Sequence, residues 1–313
     1  MRIFRSIAVE ERFKNPVLTV GNYDGLHLGH RRIIERVKER AREIDGTSML
    51  MTFHPHPLHI LRQEKELPFI TPEEQKERVI EEMGIDVLFV VPFTGEFSRI
   101  TPEAFVETIL CGRLAIESIV IGHDFRFGSE GKGDVTLLER MSHSLGFFVE
   151  VVDPVTLEGE RVASNRIRTL LADGDVAQSA RMLGRPYVLA GTVVRAKGRG
   201  ATIGFPTINL RTDYPLIPRN GVYMTEVEVD GRWLGAVTNI GHNPTFEAGM
   251  ERSIETFILD FKGDLYDKKV KVRFLKRIRD EARFASVEEL KARIAEDVDI
   301  AKAYLRDKAG RSA

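Results

Sequence analysis

The sequence predicts an α/β domain built on a parallel sheet, followed by a small antiparallel β-barrel that closes with a helix. Three observations carry this. From Val17 to Val152, short apolar runs alternate with stretches of helical periodicity, as strands and crossover helices do in a parallel sheet covered on both faces. From Tyr187 onward the runs are short, β-rich and punctuated by turns. Between the two patterns, Gly184-Arg-Pro-Tyr187 reads as a boundary, giving domains at 1–184 and 185–313.

The first strand is Val17–Val20, and after Gly21 a helix beginning near Leu28 places Ile33, Ile34, Val37, Ala41 and Ile44 on one face. Ser48–Phe53 is a second strand, ending at His54-Pro-His-Pro57. Thr71-Pro-Glu-Glu74 reads as a capping box with proline at the first helical position, opening a helix that stops near Gly84. Val87–Val91 is the third strand, a helix starts at Thr101-Pro-Glu103, and Ser118–Gly122 is the fourth strand. Asp134 caps a helix running to about Gly146, and Phe147–Val152 is the fifth strand. Two short helices follow, near Asn165–Ala172 and Val176–Leu183, the second capped by Asp175 and stopped by Gly184. The barrel strands are expected at Val188–Val194, Gly221–Val229, Trp233–Ile240, Ile254–Phe261 and Lys269–Arg277, with Asp230-Gly231 as a two-residue hairpin turn. Ser286 begins the closing helix, and Lys308–Ala313 reads as a frayed tail.

A chain of 313 residues is long for one core and comfortable for two. Its net charge of −1 gives no extended basic face, which argues against a nucleic-acid partner. The single cysteine, Cys111, excludes an intramolecular disulfide and a multi-cysteine metal site, and fits a reducing compartment. It follows Ile109-Leu110 and reads as packing. No apolar run approaches a membrane span and no signal-peptide core is visible at the N-terminus, so a cytoplasmic protein without a membrane partner is expected.

The stretch Gly21-Asn-Tyr-Asp-Gly-Leu-His-Leu-Gly-His30 stands between a strand and a helix. Glycines let backbone approach a ligand, and a helix start offers unpaired N–H groups and a positive dipole end, which suits a phosphate. His27 and His30 can share one side of the first turn and donate to phosphoryl oxygens, with Asp24 punctuating the turn. The competing readings are a surface turn with incidental histidines, and a metal site of His27, His30 and Asp24, which lacks a third His or Cys at ligand spacing. The glycine pattern is not that of a P-loop. Further on, His54-Pro-His-Pro57 is a rigid turn or a ligand loop. Gly122-His-Asp-Phe-Arg-Phe-Gly128 is core packing or a surface for a flat heteroaromatic ligand. Ser164 caps a helix or, with Arg166 and Arg168, helps to bind phosphate. In the second half, Lys197-Gly-Arg-Gly200 is a flexible loop or an anion-binding nest. In Gly204-Phe-Pro-Thr-Ile-Asn209, Thr207 and Asn209 alternate on a strand and offer two neutral oxygens on one side, a set that suits Mg²⁺ together with ATP phosphates. Glu255 lies opposite Ile254 and Ile258 in an alternating strand, facing either solvent or a substrate.

These motifs resemble, in order and over nearly the whole chain, the bacterial bifunctional riboflavin kinase/FAD synthetase family. Gly21–His30 is similar to the G-x-(F/Y)-D-G-x-H-x-G-H signature of nucleotidyltransferases, which implies a Rossmann-like nucleotidyltransferase fold for the first domain. Gly122–Gly128 is similar to G-x-D-F-x-F-G, and Val162–Arg168 to I-S-S-(T/S)-x-I-R, with Asn165 where a hydroxyl is usual. The kinase segment resembles G-R-G-x-x-x-G-x-P-T-A-N, with Ile208 in place of alanine. The resemblance implies riboflavin and ATP giving FMN, then FMN and ATP giving FAD with release of pyrophosphate. It implies His27, His30 and Arg168 in adenylyl transfer and Glu255 as base for the ribityl 5′-hydroxyl. It implies Gly21, Tyr23, Asp24, Gly25, His54, Asp124, Phe125, Phe127, Ser164 and Asn165 around the first site. Gly198, Arg199, Gly200, Gly204, Pro206 and Arg279 are implied around the second, with Thr207 and Asn209 on Mg²⁺. Where the family usually has His, Phe257 stands. Asn239–Phe246 and Ile278–Phe284 resemble flavin-side segments. An enzyme with one activity, or a non-catalytic flavin-binding protein, are the alternatives.

Overall fold

A computed structural model describes residues 1–62, 68–195, 199–242 and 252–312. The chain forms two compact units, Met1–Ser164 and Asn165–Ala313.

In the first unit, β1 (Arg2–Phe4), β2 (Pro16–Val20), β3 (Thr47–His54), β4 (Val87–Pro92), β5 (Ser118–Gly122) and β6 (Phe148–Val152) make one sheet in the order β1-β4-β3-β2-β5-β6. Every pairing in it is parallel. The four central strands, β2 to β5, are largely buried on both faces, and alternate residues serve two cores. Leu18, Met49, Phe89 and Ile119 face one core, while Val17, Leu50, Leu88 and Val120 face the other. After β3 comes α2 (Pro57–Arg62). The helices α1 (Leu28–Glu43) and α3 (Glu73–Glu82) supply the second core with Ile34, Val37, Ala41, Val79 and Ile80.

The first core is covered by α4 (Pro102–Ala104), its continuation Phe105–Arg113, and α5 (Val135–Leu145). The N-caps expected at Thr101 and Asp134 are both present, accepting from the amides of Ala104 and Leu137. The continuation is π-helical rather than α-helical. Its wider turn stacks Phe105 and Val106 over Ile109 and Leu110, all buried, and Cys111 packs against the same core, where burial pushes its thiol up. The Thr71 capping box does not form: α3 begins at Glu73 after Pro72 without a side-chain cap, and the Thr71 amide is donated to Asp24 Oδ1 at 3.1 Å. Neither the edge strand β1 nor the hairpin β7 (Thr156–Leu157) and β8 (Glu160–Arg161) is marked by a periodic apolar run.

The second unit starts in α6 (Ser164–Asp173) and continues through α7 (Val176–Leu183). A closed barrel follows, made of β9 (Tyr187–Val194), β10 (Thr207–Arg211), β11 (Gly221–Val229), β12 (Arg232–His242), β13 (Arg252–Ile258) and β14 (Lys269–Arg279). Its strand order is β10-β13-β12-β11-β14-β9, antiparallel throughout, with β9 pairing both β14 and β10 to close it. Closure removes the exposed edges that an open sheet would leave. Asp230 and Gly231 both take positive φ, 48° and 77°, as the hairpin between β11 and β12 requires. The short α8 (Arg199–Thr202) precedes β10, and α9 (Val287–Ser312) lies on the outside of the barrel. There Val298 and Ala301 of α9 pack on Val222, Met224, Val237 and Leu275. The expected frayed tail is instead helical through Ser312.

The units divide twenty residues before Gly184, because α7 packs on β9 and β14 and the Arg219 amide is donated to the Leu171 carbonyl at 3.1 Å. Val176, Met182 and Leu183 are buried, and each such side chain contributes about 1.5–3 kcal/mol when fully buried. A 165–313 fragment should therefore resist denaturant better than a 185–313 fragment. Equal urea midpoints for the two would show that the helices are not part of the barrel's core.

Candidate active site

In the first unit the connection from β2 runs to β3 on one side, while β5 lies on the other. Open α/β sheets bind ligands in the crevice beyond the carboxyl ends of strands at such a reversal. Gly21–His30 leaves the end of β2, and Gly122–Gly128 leaves the end of β5 beside it.

The loop after β2 is strained. Gly21 donates its amide to the Met51 carbonyl at 3.0 Å. Tyr23, Gly25 and Leu26 then take φ of 50°, 90° and 46°. Glycine adopts such a backbone freely, but for Tyr23 and Leu26 it is costly and persists only because the surroundings hold it. Both are fully buried in the core. The Tyr23 hydroxyl is 2.6 Å from Thr19 Oγ1, and burial pushes its phenol well up. Asp24, 3% exposed, accepts from the Ile70 amide at 3.0 Å and the Thr71 amide at 3.1 Å. Its backbone carbonyl accepts from Ser164 Oγ at 2.8 Å. Tyr23 and Asp24, expected at the ligand, hold the loop through these bonds. Ser164, expected as an N-cap or as a phosphate-binding residue, is the first residue of α6, and its hydroxyl donates to the loop.

His27 is the N-cap of α1, its Nδ1 accepting from the His30 amide at 3.3 Å. An accepting Nδ1 leaves the proton of the neutral ring on Nε2. The His27 and His30 rings stack with centroids 3.7 Å apart and planes 16° apart, and Tyr23 supports His30 at 5.0 Å. The helix start therefore carries two aligned imidazoles. Around them, His54 ends β3 with its Nδ1 3.4 Å from Glu73 Oε2. Asp124 accepts from Arg161 at 2.6 Å; burial would raise its carboxyl, but the guanidinium outweighs this and holds it below its usual range. Phe125 and Phe127 stack at 5.4 Å, with Phe127 in the core against Phe105 and Phe125 on its margin. Phe127 is thus a packing residue.

In the second unit, Arg168 Nη1 donates to Asn165 Oδ1 at 2.6 Å in the first turns of α6. Asn165 therefore holds an arginine, a use of its amide oxygen that the sequence did not suggest.

At the barrel, Asn209 of β10 pairs with Glu255 of β13, and Glu255 pairs with Asn239 of β12. Directly opposed residues share a face, so three side chains of hydrogen-bonding character meet on the outer surface of the barrel. Thr207, two residues before Asn209, is on the same face. Gly204 (φ 92°) and Pro206 turn the chain into β10, and the Phe205 amide is donated to the Gly200 carbonyl at 2.9 Å. A Cβ on Gly200 would stand 2.4 Å from the Phe205 carbonyl oxygen and 3.2 Å from Thr207 Oγ1, so only glycine fits there. Arg199 opens α8, whereas Lys197, Gly198 and residues 243–246 lie outside the described residues. Phe257 packs edge-on against Phe205 at 5.4 Å, which gives this departure a place under α9. Arg279, expected at the second site, forms a bidentate guanidinium pair with Asp297, which is 1% exposed, and also donates to the Asp280 carbonyl. It fastens the end of β14 to α9. Asn239, read from the sequence only as part of a flavin-side segment, is placed by strand register, which a single sequence does not display. Among the described residues, no cluster of three His, Cys, Asp or Glu is placed to hold a metal.

A family model for FAD synthetase matches residues 9–166, and one for riboflavin kinase matches residues 183–305. A bifunctional riboflavin kinase/FMN adenylyltransferase of Bacillus subtilis is 37% identical over 302 residues, covering 95% of this chain and 94% of its own. The chain belongs to the bifunctional riboflavin kinase/FMN adenylyltransferase family. Its member from Escherichia coli K12 is 37% identical over 282 residues, 90% of each chain. A solved structure from Streptococcus pneumoniae, described as a macrolide-efflux protein, superposes with a TM-score of 0.87 at 31% identity, covering 96% of this chain and 98% of that one. No described helix here is long and apolar enough to cross a membrane.

If the Asp24 carboxylate holds the loop, Asp24→Asn should turn one acceptor oxygen into a donor facing two amides. The expected loss is about 1–3 kcal/mol of stability, together with FAD formation, while FMN formation from riboflavin persists. Thermal unfolding and separate assays of the two steps check this; unchanged FAD formation would contradict it.

Proposed function

We propose that this chain makes both flavin cofactors, with riboflavin phosphorylation by residues 185–313 and FMN adenylylation by residues 1–184. The observation that carries the reading is that each unit gathers its own reactive set: stacked His27 and His30 at a helix start, and Asn209, Glu255 and Asn239 across three paired strands.

In the kinase step, the Glu255 carboxylate takes the proton of the ribityl 5′-hydroxyl, whose oxygen attacks the γ-phosphorus of ATP, and ADP leaves. Thr207 and Asn209 present neutral oxygens beside that carboxylate, a donor set that fits Mg²⁺ sharing its shell with phosphates and water. Bound there, the ion would spread the charge of the phosphates. In the adenylyl step, a phosphate oxygen of FMN attacks the α-phosphorus of a second ATP, and pyrophosphate leaves. No protein nucleophile is required; the task is to align two anions and disperse charge. His27 Nε2–H, the His30 ring and the N–H groups opening α1 suit this, and the family resemblance assigns Arg168 to the phosphates. Gly25, His54, Asp124 and Phe125 line the approach. The substrates are ATP, riboflavin and FMN, and the lone Cys111 fits a cytoplasmic location.

A kinase-only reading has one observation behind it, the Asn165–Arg168 bond at the position of a usual hydroxyl. Incubation with riboflavin, ATP and Mg²⁺, followed by separation of the flavins, decides between them. FAD is expected; FMN accumulating without FAD would make the chain a kinase and turn attention to Asn165. Glu255→Gln keeps the shape but accepts no proton, so kinase turnover should fall by about 10²–10⁴-fold, while supplied FMN is still adenylylated. Near-normal phosphorylation by this variant would remove Glu255 from the mechanism.

A further inference from the structure

We infer that three buried threonine hydroxyls inside the barrel, Thr225, Thr238 and Thr256, set the strand register that presents Glu255, and that Thr238 and Thr256 are positioning residues of the kinase site. The hydroxyls form a ladder: Thr225 Oγ1 lies 2.8 Å from Thr238 Oγ1, which lies 2.9 Å from Thr256 Oγ1. All three residues have no exposed surface. The mechanism above uses none of them, yet Thr238 immediately precedes Asn239 and Thr256 immediately follows Glu255.

Side chains alternate across a strand, so inward Thr238 and Thr256 fix Asn239 and Glu255 outward. The apolar pattern already fixes that parity. On β12 the inward residues are Ala236, Thr238 and Ile240, and on β13 they are Ile254, Thr256 and Ile258; each pair lies directly opposite its counterpart. Apolar residues cannot, however, distinguish this register from one shifted by two residues, which keeps the same residues inside. Such a shift would carry Glu255 roughly 7 Å along the strand, away from Asn209 and Asn239. It would also take the Thr256 hydroxyl away from Thr238 and set it against Ile240 or Ala236, while Thr238 keeps Thr225 as its partner. The present register sets Thr238 and Thr256 directly opposite each other, where their hydroxyls bond. A buried polar pair that selects register at the expense of an all-apolar core is a known use of such groups.

The ladder also reaches the third strand. Thr225 of β11 binds Thr238 diagonally, since Tyr223 is the residue directly opposite Thr238. The β11–β14 pairing carries register irregularities on either side of Tyr223 and Met224. Thr225 thus links β11 to the two threonines that adjoin Asn239 and Glu255.

The inference rests on Glu255 acting as the kinase base. Turnover of the Glu255→Gln variant tests that reading, whereas hydrogen exchange reads the strands without turnover. In the full-length protein, Thr238→Val should lower kcat for riboflavin phosphorylation by about tenfold, with KM for riboflavin and ATP changed less than about twofold and FMN adenylylation unchanged. Thr238→Ser, which keeps the hydroxyl, should recover most of the loss. The triple variant Thr225→Val, Thr238→Val, Thr256→Val removes every hydroxyl while keeping the shape of the core. It should remain folded, show the same fall in kcat, and exchange the amides of residues 237–240 and 254–257 faster. Wild-type kcat in the folded triple variant overturns the inference. So does a Thr238→Val variant that loses both activities together and is not rescued by serine, because that pattern marks general instability.

Discussion

Asp24 buries a carboxylate, and the signature loop, the approach to α3 and Ser164 gather around the bonds that compensate. A buried charge is tolerated only when donors surround it. Here the donors are the amides of Ile70 and Thr71, with the Asp24 carbonyl receiving Ser164 Oγ. Those bonds hold three chain segments that are distant in sequence around one residue. They also hold a backbone with Tyr23 and Leu26 in the left-handed region, a conformation that would relax without support. Because the loop leaves β2 in that shape, His27 reaches the N-cap of α1 and His30 stacks on it. The stacked histidine pair thus depends on the buried pair of amides.

The barrel solves its own positioning problem differently. Strand pairing rather than a loop brings its residues together, and the fold depends on closure between β9 and β10. Asn209, Glu255 and Asn239 come from three strands, yet stand in one row because each is opposed in register to the next. The outer face around them is completed by α9, which is fastened by the Arg279–Asp297 pair and by packing on Val237 and Met224. Sites built on strands inherit the rigidity of the sheet. The loop-borne site of the first unit needs the buried Asp24 to reach comparable order.

Much of this was legible in the sequence, and the reasons are physical. Apolar runs and helical spacing revealed the parallel sheet because its strands are buried on both faces. Asp230-Gly231 revealed a hairpin because few residue pairs accept two positive φ values. What stayed hidden was long-range. Thr71 looks like a cap until Asp24, forty-seven residues away, takes its amide. Tyr23, Phe127 and Arg279 sit in motifs that suggest ligand contact, but burial and the Asp297 partner give them structural duties. β1 is too short and too basic to declare itself. The helix α7 follows the α/β pattern in sequence, yet it packs on β9 and β14 of the barrel. Register, which sets Asn239 against Glu255 and threonine against threonine, has no marker in local spacing.

The central claim is that one chain holds two sites that work independently, each with its own residues. Mixing two singly disabled proteins tests this most directly: one carrying Glu255→Gln, the other His27→Ala with His30→Ala. Supplied with riboflavin, ATP and Mg²⁺, the first alone should leave riboflavin unconverted and the second alone should stop at FMN. The mixture should produce FAD, the FMN released by one protein being adenylylated by the other. A mixture that yields no FAD, with both proteins folded, would contradict the account.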